Sequence, residues 1–120
     1  MKIAVTTVGN NMDAAVDPRF GRAQNFLVYD TESEETTVYP NEQNLQAAQG
    51  AGVQAGQNIL QTGAEILISG NIGPKAFTVL QQGGVKVYTC TSGTVKEVIA
   101  DYQAGKLVET RGATKPGHWM

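Results

Sequence analysis

The chain has 120 residues, of which 41% are hydrophobic and 17% charged, so it fits one compact domain and excludes two independent cores. Its formal net charge of −2 at pH 7 disfavours general binding to nucleic acid or to anionic membranes. No apolar run approaches the roughly 20 residues of a membrane-spanning helix, and the first residues predict a strand rather than an export signal. We therefore expect a cytoplasmic protein with neither a membrane nor a nucleic-acid partner.

The chain contains one cysteine, Cys90, and one histidine, His118. A single cysteine excludes an internal disulfide, which fits a reducing compartment. Self-contained zinc-type sites need three or four Cys and His ligands, which this sequence does not supply. A tightly bound metal must therefore use unusual ligands or arrive as part of a larger ligand.

Three β-prone runs come first along the chain. Residues 2–8 are rich in β-branched side chains and predict a buried strand. Residues 24–30 and 36–39 predict an antiparallel hairpin, because a short polar segment separates them. Ala, Gln and Gly then dominate, and residues 48–62 predict the first helix. Its glycines at 50, 52 and 56 either serve packing or allow close backbone approach at the helix start.

Strand and helix patterns alternate in the second half. Residues 65–69 and 85–89 predict two further buried strands. Each is followed by a helix pattern, over residues 75–82 and 95–103, and Pro74 occupies a favourable first helical position. The order of predicted elements is therefore βββαβαβα.

This order determines the predicted architecture. Right-handed βαβ units bring the later strands to the free side of strand 1. The prediction is a three-layer α/β fold with a mixed five-stranded sheet of order 3-2-1-4-5, in which strand 2 is antiparallel. This is the ribonuclease H-like topology. Residues 1–109 form the predicted domain, and residues 110–120 a flexible tail.

Ligands of such sheets bind beyond the carboxyl ends of the parallel strands. The loops predicted there are residues 7–22, 70–74 and 90–94, next to the glycine-rich helix start at 50–52. All three helices are predicted to begin at this edge, so their free N–H groups would attract an anion. We therefore expect an anion-binding surface on a slightly acidic protein.

Several segments resemble a known family. The run Asp17-Pro18-Arg19-Phe20-Gly21-Arg22-Ala23 is similar to the phenylalanine-glycine-arginine motif of the dinitrogenase iron-molybdenum cofactor biosynthesis domain family. Residues 50–52 and 70–76 are similar to its glycine motifs, and residues 84–88 to its last strand. The resemblance implies a ribonuclease H-like fold and the carrying or assembly of an iron–sulfur or molybdenum–iron–sulfur cluster. Proteins that donate or accept the cluster are the partners it implies.

Loop positions and resemblance together give one set of candidate binding residues. The set comprises Arg19, Phe20, Gly21, Arg22, Gly50, Gly52, Gly70, Asn71, Ile72, Gly73 and Cys90. Cys90 is also a candidate metal ligand, as is His118. Many relatives end in several histidines and cysteines, whereas this chain ends in Gly117-His118-Trp119-Met120.

Each candidate has a structural alternative. Cys90 is either a ligand or a small buried hydrophobe, and His118 either a ligand or a solvated residue. The arginines either bind an anion or pair with Asp13 and Asp17 to brace their loop. Phe20 is expected to anchor that loop on the sheet. Residues 70–74 either surround an anion with N–H groups or form a tight turn without a ligand.

The leading hypothesis is a non-catalytic protein that binds or carries an anionic iron–sulfur or molybdenum–iron–sulfur cluster. The alternative is a regulatory or interaction module that binds a small anion or a nucleotide. A metal-dependent nuclease is disfavoured, because strand 1 has no carboxylate and the acidic residues do not converge in the predicted fold.

Overall fold

A computed structural model describes residues 1–41, 51–90 and 92–110, which form a mixed sheet with helices on both faces. The elements are β1 (Lys2–Thr7), a 3₁₀ turn (Phe20–Arg22), β2 (Asn25–Asp30), β3 (Thr36–Pro40), α1 (Ala51–Thr62), β4 (Ile66–Ser69), α2 (Pro74–Gln82), β5 (Lys86–Thr89), α3 (Val95–Gln103) and β6 (Glu109–Thr110). The first residues predicted for α1 lie outside the described ranges. In those ranges, no helix has both the length and the apolar character needed to cross a bilayer.

The sheet has the order β3-β2-β1-β4-β5-β6. β1 pairs antiparallel with β2 and parallel with β4, and β4 pairs parallel with β5. The predicted order of the first five strands, with β2 antiparallel, is therefore confirmed. Central β1 and β4 are almost entirely buried because helices cover both faces of the sheet.

The prediction of five strands is wrong, because β6 adds a sixth. β6 pairs antiparallel with β5, Tyr88 opposite Glu109 and Val87 opposite Thr110. A two-residue strand carries no periodic pattern, so only its pairing reveals it. Thr110, the first residue of the predicted tail, thus belongs to the sheet, and residues 111–120 lie outside the described part of the chain.

Alternating side chains of the strands divide the core into two clusters. Ala4 and Leu67 face α1 and α2, and both are fully buried. Ile3, Val5 and Ile68 face α3 on the opposite side. The molecule therefore has three layers, with α1 and α2 on one face of the sheet and α3 on the other.

Helices α1 and α2 pack closely because small residues face their neighbours. A Cβ atom on Gly56 would lie 3.2 Å from Cγ1 of Val79, and one on Gly52 would lie 3.4 Å from Cβ of Ala76. The glycines that weaken α1 as an isolated helix thus serve its contact with α2. Gly50, the remaining glycine of that pattern, lies outside the described residues.

Candidate anion-binding cleft

The loop between β1 and β2 crosses the edge of the sheet at which β1, β4 and β5 end. It first lies against the loop after β5, where N–H of Val16 donates to the carbonyl of Gly93 at 3.0 Å. It then lies against the loop after β4, where N–H of Asn71 donates to the carbonyl of Pro18 at 2.8 Å. The three loops predicted at this edge therefore form one continuous surface.

Gly70 is needed for the second of these contacts. A Cβ atom at this position would lie 2.2 Å from the carbonyl oxygen and 2.6 Å from Cα of Pro18, far inside contact distance. Gly70 is buried, and so is Ile72, which is fully enclosed in the core. Both predicted binding residues thus support the surface from below instead of lining it.

Asp17 is fully buried and fixes Arg19. Its Oδ1 accepts hydrogen bonds from N and Nε of Arg19 at 3.0 and 3.1 Å, and its Oδ2 accepts one from Nη2 at 3.1 Å. The hydrogen bonds with this carboxylate, together with its charge, raise the pKa of Arg19. A buried carboxylate that lost this partner would be strongly destabilised, so Arg19 braces the loop.

Two buried hydroxyl groups support Asp17 from the sheet. Thr6 Oγ1 donates to the carbonyl of Asp17 at 2.7 Å, and N–H of Asp17 donates to the carbonyl of Thr6 at 2.8 Å. Thr6 Oγ1 also lies 2.7 Å from Ser69 Oγ. Thr6 and Ser69 are not among the site residues predicted from the sequence. Their position as polar residues near the carboxyl ends of the buried strands β1 and β4 is the pattern that indicates them.

A shallow cleft of about 390 Å³ lies between the 3₁₀ turn and the starts of α1 and α2. It is called the edge cleft below. Its lining residues are Arg19, Phe20, Gly21, Arg22, Gly52, Asn71 and Gly73. All of them belong to the set predicted from the sequence. Gly50 and His118, also predicted, lie outside the described residues.

Arg22 is the cation of the edge cleft that is not already committed to a carboxylate. Its side chain is exposed, and within the described ranges it forms no ion pair. Phe20, at the other end of the 3₁₀ turn, is 1% exposed and stacks on Phe26 with ring centroids 6.1 Å apart. Phe20 thus anchors the turn on the sheet, and Arg22 is held at the solvent side.

The start of α2 lies beside the edge cleft, and Gly73 is the residue of α2's cap that lines it. Gly73 is its N-cap and provides no side-chain cap, and Pro74 carries no N–H. In the described part of the chain, the amides of Lys75 and Ala76 have no hydrogen-bond acceptor. The positive end of the α2 dipole therefore lies beside Asn71 and Gly73, with no described group accepting from its first N–H groups.

The start of α3 is different, so the prediction that all three helices offer free N–H groups there is wrong. Thr94 and Glu97 form a reciprocal capping box. The two N–H groups between them are also used. The N–H of Val95 and the N–H of Lys96 donate to carbonyls of the β1–β2 loop, each at 2.9 Å. The chain itself fills the site that an anion would need at α3.

Cys90 does not line the edge cleft. It is half-buried, its Sγ donates to the carbonyl of Ser92 at 3.3 Å, and it packs against the cluster on the α3 side of the sheet. No group of three His, Cys, Asp or Glu side chains in the described residues is placed to hold a metal ion. The lining therefore suits an anion bound through hydrogen bonds and charge, and not a bare metal ion.

Comparisons of the sequence place the chain among known proteins. A family model described as "Dinitrogenase iron-molybdenum cofactor" matches residues 1–105. An uncharacterized protein of Methanocaldococcus jannaschii is 31% identical over 109 residues, which cover 89% of each chain.

Solved structures agree with this match. The apo form of the orange protein from Desulfovibrio gigas is 37% identical, with a TM-score of 0.89 over 95% of this chain and 96% of that one. A NifB-like protein from Thermotoga is 38% identical, with a TM-score of 0.81 over 97% of this chain and 98% of that one. A dinitrogenase-like protein from Methanocaldococcus jannaschii, 17% identical with a TM-score of 0.68, shares the fold over 93% of this chain and 96% of its own.

Proposed function

Because this chain belongs to the dinitrogenase iron-molybdenum cofactor family, we propose that it is a non-catalytic carrier of an anionic iron–sulfur or molybdenum–iron–sulfur cluster. The cluster is the cargo, and the edge cleft is where it binds. The observation that carries this proposal is the chemistry of the lining, which among the described residues combines Arg22 with the backbone of Gly52 and Gly73 at two helix starts and includes no thiolate, imidazole or carboxylate. Proteins that supply and receive the cluster are its implied partners.

This lining fits a cluster that arrives with its own sulfide ligands. The sulfides of an anionic cluster accept hydrogen bonds, and guanidinium and backbone N–H groups donate them. Gly52 and Gly73 present backbone without a side chain, so a bulky ligand can approach the starts of α1 and α2. No metal–protein bond has to form or break on loading, which suits a carrier that must release its cargo.

The relatives support the same proposal. The orange protein, 37% identical, is known in an apo form, a description that presupposes a form with something bound. The NifB-like protein, 38% identical, matches nearly the whole chain. At these identities we expect this chain to share both the fold and the binding surface of these relatives.

The proposed absence of catalysis has a chemical basis in the same residues. General acids, general bases and nucleophiles are carboxylates, imidazoles, thiols and activated hydroxyls, and none of these lines the edge cleft in the described ranges. The proposal assigns the sheet to the ribonuclease H-like class from its strand order, and in the described residues no three carboxylates gather as a metal-dependent nuclease requires. It also places the carrier in the cytoplasm, where reducing conditions preserve metal–sulfur clusters.

The alternative of a small-anion or nucleotide-binding module is favoured by one observation. Arg22 and the α2 amides would donate to phosphate oxygens as readily as to sulfides, and none of the described lining residues is a side chain that selects a metal. The two functions therefore differ in the anion that binds, and the first experiment compares the anions directly.

Anaerobic titration of the protein tests the proposal. Tetrathiomolybdate is added in one series, and iron with sulfide, with and without molybdate, in another, while charge-transfer absorption is recorded. We expect the charge-transfer absorption of the protein-bound anion to rise to saturation at a fixed ratio of anion to protein. A protein that stays colourless but gains thermal stability from phosphate or ATP would establish the alternative instead.

Matched variants locate the site. We expect Arg22→Ala to weaken tetrathiomolybdate binding about tenfold, equivalent to about 1.4 kcal/mol, because it removes a charge-assisted donor. Lys106→Ala, which removes an exposed cation after the carboxyl end of α3, should leave Kd within about twofold. Cys90→Ala should keep the colour. If Cys90→Ala lost the colour and Arg22→Ala kept it, the result would contradict binding in the edge cleft and support a thiolate ligand.

A further inference from the structure

Asn41 lies directly after β3 and is 8% exposed. Its backbone N–H donates to the carbonyl of Gln24 at 2.9 Å, which extends the pairing of β2 with β3 by one bond. Its side-chain Nδ2 donates to the carbonyls of Ala23 at 2.9 Å and Gly21 at 3.4 Å. One buried amide thus holds the two carbonyl groups on either side of Arg22.

The other end of the same side chain reaches α1. Asn41 Oδ1 accepts a hydrogen bond from Asn58 Nδ2 at 3.1 Å, and Asn58 Oδ1 accepts one from Gln54 Nε2 at 3.1 Å. Gln54 and Asn58 lie one turn apart on α1, the helix whose start contributes Gly52 to the edge cleft. A chain of amides therefore connects the two opposite sides of the cleft.

From this geometry we infer that Asn41 is a positioning residue for anion binding, which holds the 3₁₀ turn and α1 at the separation the edge cleft requires. The inference rests on the proposed function and concerns the same cleft. Asn41 does not line the cleft, so it acts through Arg22 and not by touching the anion.

An amide is the side chain that this position requires. Nδ2 of Asn41 donates to two carbonyl groups at the turn, and Oδ1 of Asn41 accepts from Nδ2 of Asn58. A side chain here must therefore donate toward the turn and accept toward α1, which an amide does. An apolar side chain would remove the donor to the buried carbonyl of Ala23, and a carboxylate would place acceptor against acceptor. Loss of the amide should therefore loosen the turn itself and not only lower the stability of the fold.

The first measurement uses the ligand-free protein. Backbone ¹⁵N relaxation of Asn41→Ala should show increased motion from Gly21 to Ala23 relative to wild type. Val98→Ala is the matched control, because it removes buried methyl groups from the α3 side of the sheet and leaves the turn untouched. If Asn41→Ala does not fold, Asn58→Ala removes the link from Asn41 to α1 and leaves the bonds from Asn41 to the turn in place, so it should give a smaller increase in the same residues.

The second measurement is a double-mutant cycle on tetrathiomolybdate affinity. We expect Asn41→Ala to weaken binding about fivefold in the wild-type background and less than about twofold when Arg22→Ala is already present. Val98→Ala should leave Kd unchanged in both backgrounds. A role confined to folding would lower thermal stability without this dependence on Arg22.

The outcomes separate the two hypotheses. A loosened turn with Arg22-dependent loss of affinity supports the positioning role. An unchanged turn in both variants, or equal loss of affinity with and without Arg22, overturns it while leaving the proposed function intact. Wild-type protein that binds neither tetrathiomolybdate nor a cluster formed from iron and sulfide overturns the proposed function, and the positioning role for anion binding fails with it.

Discussion

Asp17 shows how a charge beside a candidate binding site can belong to the scaffold. Its carboxylate is 0% exposed, whereas the side chain of its partner Arg19 is 63% exposed, so the two charges of this pair differ in environment. A ligand that drew Arg19 away would leave a buried carboxylate alone, at a cost of several kcal/mol. Arg22 forms no ion pair in the described part of the chain, so of the two arginines it is better suited to bind an anion.

The contact between Gly70 and Pro18 gives a sharp test at the scale of single residues. We expect Gly70→Ala to lower the free energy of unfolding by about 2 to 4 kcal/mol, because the new Cβ overlaps backbone atoms that have little freedom to move. Gly73→Ala is the matched control. Nothing lies within 4 Å of a Cβ atom there, so its effect should stay within about 0.5 kcal/mol.

Urea denaturation of both variants measures this difference. Because Pro18 directly precedes Arg19, Gly70→Ala should also disturb the edge cleft and weaken anion binding. Equal stability of the two variants would mean that the loops can separate without cost, and the continuous edge surface would then be incorrect.

At the scale of elements, α2 and α3 begin at the same edge with opposite chemistry. The first donors of α3 bind Glu97 and two carbonyl groups of the β1–β2 loop, whereas α2 starts at Gly73 and Pro74 without a side-chain cap. A helix dipole attracts an anion only where its N–H groups are still available. The edge therefore has one side closed by the protein and another side open to a ligand.

The capping box of α3 gives the prediction at this scale. Thr94→Ala should destabilise the fold by about 1 kcal/mol, because the N–H of Glu97 loses its acceptor. Its affinity for tetrathiomolybdate should stay within twofold of wild type, since α3 takes no part in binding. Thermal unfolding and titration of the same sample give both values. Impaired binding at unchanged stability would show that α3 belongs to the site.

Whole-chain behaviour follows from the three layers. The edge cleft lies on the side of α1 and α2, and Cys90 packs on the side of α3, with the sheet between the two core clusters. A ligand in the cleft adds contacts to one layer only. Binding should therefore stabilise the layer of α1 and α2 more than the layer of α3.

Hydrogen–deuterium exchange tests this expectation. Saturating tetrathiomolybdate should slow the exchange that proceeds by local opening most in the 3₁₀ turn and at the start of α2, and least in α3. Global stability should rise by about 2.7 kcal/mol at a ligand concentration of 100 times Kd. Protection centred on α3 and the loop after β5 would move the site to Cys90 and contradict the edge cleft.

The sequence by itself determined the three helices, the first five strands with their order in the sheet, and the residues that line the cleft. Periodicity and Gly or Pro boundaries are local signals, and the handedness of βαβ units leaves few arrangements for such an order. Only the tertiary structure decided that Arg19 is a brace, that α3 is capped by a distant loop, and that Asn41 connects the turn to α1. Each of these depends on hydrogen bonds set by how loops and elements pack in space, which no pattern along the chain records.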